Sequence, residues 1–122
     1  MKEPRTKGGR TWHGAKWCRR STRLAIYHRD GHACVYCGAT GTLSLDHVVP
    51  EEHGGSHAPT NLVTACFSCN SARQHRTMRA WLAYLRTKGV DTTGIARRVR
   101  RATARELDRA TGRRLAAVKE AA

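Results

Sequence analysis

The sequence is poor in the residues from which a small protein builds its core, and poor in acidic residues. It contains one Phe among 122 residues, and only 39% of the chain is hydrophobic. Such a composition predicts a single small domain with a modest core that needs an additional staple. The chain has no apolar run near the roughly 20 residues of a membrane-spanning helix, and its N-terminus has no apolar export segment. We therefore expect a soluble, cytoplasmic protein with no membrane partner.

The scarcity of acidic residues leaves a formal net charge of +14, from 23 Lys and Arg against 9 Asp and Glu. Residues 1–29 hold nine basic residues and one acidic, and residues 77–122 hold twelve and four. Residues 30–76 hold only two basic residues against four acidic ones. Basic flanks around an acidic centre suit a protein that grips a polyanion while its centre binds a cation. The alternative is that the flanks are solvated helix faces, but an excess this large favours nucleic acid as the partner.

Four of the five cysteines form two C-x2-C pairs, Cys34 with Cys37 and Cys66 with Cys69. The pairs are 28 residues apart, and in a reducing compartment this pattern favours a zinc site over disulfides. Four thiolates leave no open position on Zn2+, so this zinc should be structural and not catalytic. Cys18 lies outside both pairs and is expected to be a buried or idle thiol.

Apolar periodicity and turn residues predict a coarse order of secondary structure. The adjacent Asp46 and His47 lie on the predicted strand, where neighbouring side chains point to opposite faces, so only local bending near Pro50 would bring both into one cleft. The predicted elements are a helix over residues 15–29, a strand over 42–49, a helix starting at residue 69 or 70, a helix with the core-facing stripe Met78, Trp81, Leu82 and Leu85, and a final helix from about 95 to 119.

Between residues 29 and 76 several short motifs follow one another in a set order. They are Arg29-Asp30-Gly31, the first C-x2-C pair followed by Gly38, Leu45-Asp46-His47-Val48-Val49-Pro50, Gly54-Gly55, Asn61-Leu62, and the second C-x2-C pair followed by Asn70 and Arg73. This stretch resembles the HNH endonuclease family. The resemblance implies an α+β fold: a small ββα-metal core, stapled by a four-cysteine zinc, with flanking helices. Together with the composition of the flanks, it divides the chain into a basic tail at 1–15 that we expect to be disordered, an HNH nuclease domain at 16–90 and a basic C-terminal helical extension at 91–122.

The resemblance implies a metal-dependent endonuclease that hydrolyses DNA phosphodiester bonds. His47 would be the general base, and Asp46 and Asn70 would hold one catalytic divalent ion. Asn70 stands where many members have a second His, as in the H-N-N variant, and its amide oxygen beside a carboxylate favours Mg2+ or Mn2+. Asn61 would clamp the loop that follows His47. The alternative to the metal-ligand role is that Asn70 only caps the N-terminus of a helix.

Five arginines are predicted to contact nucleic acid: Arg73, Arg76, Arg97, Arg98 and Arg101. His53, His57 and His75 lie near the motifs but are expected to be loop or surface histidines. The competing function is a non-catalytic, zinc-stabilised module that binds nucleic acid, which fits the cysteines and the charge but does not explain Asp46 and His47. Further partners, such as a second copy of the chain or phage packaging proteins, are left open.

Overall fold

The structure is a computed structural model in which residues 17–118 are described, so the tail predicted for residues 1–15 lies outside the described residues. No helix in the described part of the chain is long and apolar enough to cross a membrane. The elements are α1 (Arg20–Arg29), β1 (Leu43–His47), β2 (Leu62–Cys66), α2 (Phe67–Arg73), α3 (Met78–Thr87), α4 (Ile95–Ala104) and α5 (Arg109–Ala117), with short 3-10 turns at Glu51–His53 and Pro59–Asn61.

The two strands and α2 form a ββα unit. β1 pairs with β2 in antiparallel register, with Asp46 opposite Val63 and His47 opposite Leu62. α2 follows β2 without a connecting loop, because the Cys66 sulfur caps its first turn by accepting a hydrogen bond from the Cys69 amide at 3.4 Å. The predicted α+β fold with a ββα core is confirmed.

α2 begins at Phe67, two to three residues earlier than predicted, so Asn70 lies inside the helix and is not its N-cap. The prediction placed the start at a residue with good capping chemistry, whereas the cysteine supplies the cap here. Similarly, β1 ends at His47 and not at residue 49. The chain leaves the sheet there because the Val49 amide bonds to the Asn61 side chain and no longer to a strand.

The final helix predicted from 95 to 119 is in fact two helices, α4 and α5. Asp108 starts the second one by accepting hydrogen bonds from the amide and hydroxyl of Thr111, at 3.0 and 2.7 Å. α5 then turns back and packs on α1 at Gly112, where a Cβ would lie 2.4 Å from the carbonyl oxygen of Ser21. Only glycine permits so close a crossing. The contact brings together α1 and α5, the first and last helices of the described residues.

The core has a layer of helices on each face of the sheet. On one face Ile26 and Tyr27 of α1 pack against Leu45 and Leu62. On the other face Trp81 and Leu85 of the predicted stripe are buried together with the first C-x2-C pair, Val63, Ala65, Ile95, Val99 and Ala102. α4 therefore shares the core of the preceding residues, and the boundary predicted at residue 90 does not coincide with a boundary of the core.

Candidate active site and metal centre

The two C-x2-C pairs meet in one cluster beside the ββα unit. The sulfur atoms of Cys34, Cys37, Cys66 and Cys69 all lie within 4.8 Å of one another. A hydrogen bond from the Cys69 thiol lowers the pKa of Cys34, and the same hydrogen bond raises the pKa of Cys69. Without a cation, four sulfurs this close must therefore share protons. A single divalent cation would replace those protons and draw the thiolates together.

Backbone amides support three of these sulfurs. The amides of Tyr36, Ala39 and Cys69 donate to the sulfurs of Cys34, Cys37 and Cys66, respectively, each at 3.4 Å. Such donors stabilise thiolates, and four thiolates in a compact group are the ligand set that zinc prefers. The cluster thus fits a structural metal such as zinc. Cys18 lies outside it, and burial raises the pKa of its thiol.

A cleft of about 400 Å³ lies next to this centre, between the end of β1, the turn at Glu51–His53 and one face of α2. Asp46, His47 and Asn70 all line it. The strand geometry alone would separate the first two, but β1 ends at His47, so the chain bends there and both residues reach the same cleft. The structure thus brings together the three residues predicted for catalysis and for the catalytic metal.

The Asn70 side chain is held in one orientation. Its amide nitrogen donates to the Ser44 hydroxyl and to the Leu45 carbonyl oxygen, both at 2.9 Å. A carbonyl oxygen can only accept, so the nitrogen must face it. The amide nitrogen of Asn70 therefore faces β1, and the residue itself lines the cleft.

Asp46 is a buried carboxylate anchored through one oxygen. Its Oδ2 accepts hydrogen bonds from the Tyr36 hydroxyl at 2.5 Å and from Arg73 Nη1 at 2.7 Å. Burial, followed by the Asp46 charge, raises the pKa of Tyr36 well above its ordinary value, so this hydroxyl stays protonated and donates. With both anchors on Oδ2, the other oxygen, Oδ1, is the one suited to a ligand in the cleft.

Arg73 is completely buried and does not suit the phosphate contact predicted for it. Besides Asp46, its guanidinium donates to the carbonyl oxygens of His47 and Val48, both at 2.7 Å, and to that of Arg76 at 3.1 Å. Reaching a phosphate would break these bonds and leave Asp46 as a buried, unpaired charge. Arg73 therefore anchors the end of β1 and the Asp46 carboxylate.

We expect Arg73→Met to lower the free energy of unfolding by about 3–5 kcal/mol, because it removes one partner of a buried ion pair. The measurement is urea denaturation followed by circular dichroism. The matched control is Arg97→Met on the exposed surface of α4, expected to change stability by less than about 0.5 kcal/mol. If Arg73→Met left stability unchanged but weakened DNA binding, the result would instead support the predicted contact between Arg73 and phosphate.

His47 is half-buried and faces a second histidine. Its Nε2 lies 3.0 Å from Nδ1 of His57, whose own Nε2 lies 3.4 Å from a carboxylate oxygen of Glu51. The Trp17 ring stacks on His57 with centroids 4.8 Å apart and lies 5.0 Å from the His47 ring. Burial lowers the pKa of His47, so the neutral imidazole is favoured near neutral pH.

Asn61 holds the loop that carries His57. Its side chain forms two hydrogen bonds with the backbone of Val49, at 2.9 and 3.1 Å, and donates to the Ser56 carbonyl oxygen at 2.9 Å. Gly55 completes the contact, because a Cβ there would lie 1.6 Å from the Val49 carbonyl oxygen. These are the contacts of a loop clamp, as expected from the sequence. They hold the two ends of the loop over residues 50–60 close together.

Sequence reasoning assigned no role to His57, Glu51 or Tyr36. The clamp was the available signal: once Asn61 is expected to fold the loop back to Val49, a histidine four residues before Asn61 falls near His47. The positions of Tyr36 and Arg73 gave no such signal, since their partners are distant in sequence.

The remaining predicted nucleic-acid contacts differ in exposure. Arg97, Arg98 and Arg101 lie on the exposed surface of α4, and Arg98 also donates to the Val35 carbonyl oxygen at 3.1 Å. Arg76 is half-buried: it donates to the Ala72 carbonyl oxygen at 2.7 Å and lies 4.1 Å from the centroid of the Tyr84 ring. The α4 arginines are therefore the better placed of the five for a polyanion.

Comparison with known proteins agrees with this geometry. Residues 34–76 match the family model described as HNH endonuclease. The chain is also 38% identical over 63 residues to the CRISPR-associated endonuclease Cas9 of Actinomyces naeslundii. That match covers 48% of this chain but only 6% of the length of the relative. No solved structure gives a significant match.

Proposed function

We propose that this chain is a metal-dependent endonuclease that hydrolyses DNA phosphodiester bonds, and the match of residues 34–76 to the HNH endonuclease family model supports the proposal. The observation that carries the proposal is the single cleft lined by the imidazole of His47, the carboxylate of Asp46 and the amide of Asn70. A base and two oxygen donors in one cleft are the groups that this hydrolysis requires from a protein. A module that only bound nucleic acid would have no use for them.

The oxygen donors fit a hard divalent cation. Asp46 offers the carboxylate oxygen that its anchors leave, and Asn70 offers an amide oxygen whose orientation is set by Ser44 and Leu45. Oxygen ligands of this kind suit Mg2+ or Mn2+. Such a cation, when bound, stabilises the negative charge that develops on the leaving oxygen of the phosphodiester. The negative charges of Glu51 and Glu52 on the rim of the cleft favour cation entry.

His47 is the base in this proposal. Its half-buried ring is neutral near pH 7, because burial lowers its pKa, and a neutral imidazole can take a proton from a water molecule. The hydroxide so formed attacks phosphorus, the bond between phosphorus and the 3′ oxygen breaks, and the leaving 3′ oxygen takes a proton from solvent water to become a hydroxyl group. The proton stays on His47 until it is released to solvent, and the cleft is open enough for that exchange.

The DNA would be held by the basic surface of the helices. Arg97, Arg98 and Arg101 share the exposed side of α4, and the net charge of +14 makes attraction to a polyanion strong and salt-dependent. Among the described residues, the cleft region itself carries acidic side chains, so the two roles are spatially divided. The cation and the scissile phosphate belong to the cleft, and the flanking phosphates of the DNA belong to the arginine surface.

The experiment is incubation of supercoiled plasmid with the purified protein and Mg2+ or Mn2+, followed over time on an agarose gel. We expect conversion to nicked circles, with linear product appearing later, because one cleft per chain cuts one strand at a time. EDTA should stop the reaction. An intact plasmid under every divalent metal, together with retained DNA binding, would overturn the proposal in favour of a binding module.

A further inference from the structure

We propose that His57 is a positioning residue for His47, and that Glu51, His57 and His47 form a chain of polar contacts that selects the ring nitrogen of His47 used as the base. The inference rests on the proposed function for its kinetic consequences, but the hydrogen bonds can be tested without any activity. Its basis is the geometry of a loop that the family motifs leave unassigned.

The chain of contacts is continuous from the rim of the cleft to the base. Glu51 Oε2 lies 3.4 Å from His57 Nε2, and His57 Nδ1 lies 3.0 Å from His47 Nε2. The first of these side chains is exposed and His47 is half-buried, so the chain runs from solvent into the site. Both ring nitrogens of His57 are thus directed at partners.

The chemistry of the partners determines where the protons are. A carboxylate only accepts, so Glu51 favours the proton on Nε2 of His57. Neutral His57 then has a bare Nδ1, which can only accept, and Nε2 of His47 must be the donor. The remaining nitrogen of His47, Nδ1, is left with a lone pair. It is therefore Nδ1 that takes the proton from water.

Packing holds this arrangement in place. Trp17 stacks on the His57 ring with an interplanar angle of 26°, and the two histidine rings meet edge to face at 62°. The Asn61 side chain, four residues after His57, bonds to the backbone of Val49 and of Ser56 before it, so the loop is fixed on both sides of His57. The ring of His57 can thus turn only by losing the stack on Trp17, the hydrogen bond to His47 and the contact with Glu51. When His47 becomes protonated, the nearby Glu51 charge also stabilises the cation through His57.

The kinetic experiment compares His57→Ala with His57→Asn. Asn keeps an acceptor oxygen close to the position of Nδ1, whereas Ala removes it. We expect His57→Ala to lower kcat about 10-fold with KM changed less than twofold, as for other outer hydrogen-bond partners of functional histidines. His57→Asn should recover most of that loss. The control is His28→Ala, an exposed histidine of α1 that does not line the cleft.

The spectroscopic experiment needs no substrate. Long-range proton–nitrogen NMR correlations of the zinc-loaded protein report which ring nitrogen of each histidine carries a proton. We expect His47 to be protonated on Nε2 in the wild type and to become a mixture of tautomers in His57→Ala.

Protonation of His47 on Nδ1 in the wild type would overturn the proposal, as would equal kcat values for His57→Ala and the wild type. Equal losses in the Ala and Asn variants would do the same, since packing alone would then explain them. If the plasmid assay shows no cleavage at all, the NMR result still decides whether His57 sets the ring nitrogen of His47 that carries the proton. Failure of the nuclease function and failure of this inference are thereby distinguished.

Discussion

His47→Ala is expected to reduce plasmid cleavage by about 10²–10⁴-fold, the range that a positioned general base contributes. The reason is specific to the cleft. His47 is the half-buried imidazole beside the Asp46 carboxylate and the Asn70 amide. His75 also lines the cleft, but among the described histidines of the cleft only His47 has its ring hydrogen-bonded to a second histidine. The measurement is the initial rate of nicked-circle formation at saturating Mg2+ or Mn2+.

The control for this prediction is His28→Ala. His28 is exposed on α1, outside the cleft, so this change should leave the rate unaltered. DNA binding by His47→Ala should stay at the wild-type level, since the base does not hold the substrate and the α4 arginines are unchanged. Zinc content and circular dichroism should also match. Equal cleavage by His47→Ala and the wild type would show that another group activates the water.

The ββα core and the cysteine cluster could be predicted from the sequence because local spacing encodes them. The C-x2-C pairs bring two sulfurs together within one turn each. Asp46 and His47 reach one cleft because β1 ends at His47, two residues before its predicted end. Asn70 follows the last cysteine directly, so any helix that begins at the second pair carries it toward β1. These features depend on separations of a few residues.

The contacts of Arg73 and His57 were not assigned from the sequence because they depend on tertiary structure. Arg73 has the composition of a phosphate ligand, yet its nearest acceptors are Asp46 and two carbonyl oxygens more than 20 residues away in sequence, and it is buried. His57 reaches His47 only after the loop folds back. Periodicity likewise missed the break between α4 and α5, where Asp108 caps a new helix in the middle of a basic run.

The largest structural effect is expected from loss of the cysteine cluster. Cys66→Ser should release the metal and unfold most of the domain, because structural zinc sites contribute about 10–16 kcal/mol in zinc-finger peptides, whereas a whole domain is stable by about 5–15 kcal/mol. The apolar core is too small to compensate, since Cys34 and Cys66 are themselves members of it. Metal content by atomic emission and thermal unfolding by circular dichroism measure the two effects.

The serine substitution separates metal loss from other damage. Ser is nearly the size of Cys and can still cap α2 as Cys66 does, so neither a cavity nor a lost helix cap explains a fall in stability. Cys18→Ser is the matched control: this thiol lies outside the cluster, and its replacement should retain the metal with a melting temperature close to the wild type. EDTA treatment of the wild type should reproduce the Cys66→Ser melting curve. One bound metal per chain and an unchanged melting curve in Cys66→Ser would show that the Cys66 thiol is needed neither for metal binding nor for the stability of the fold.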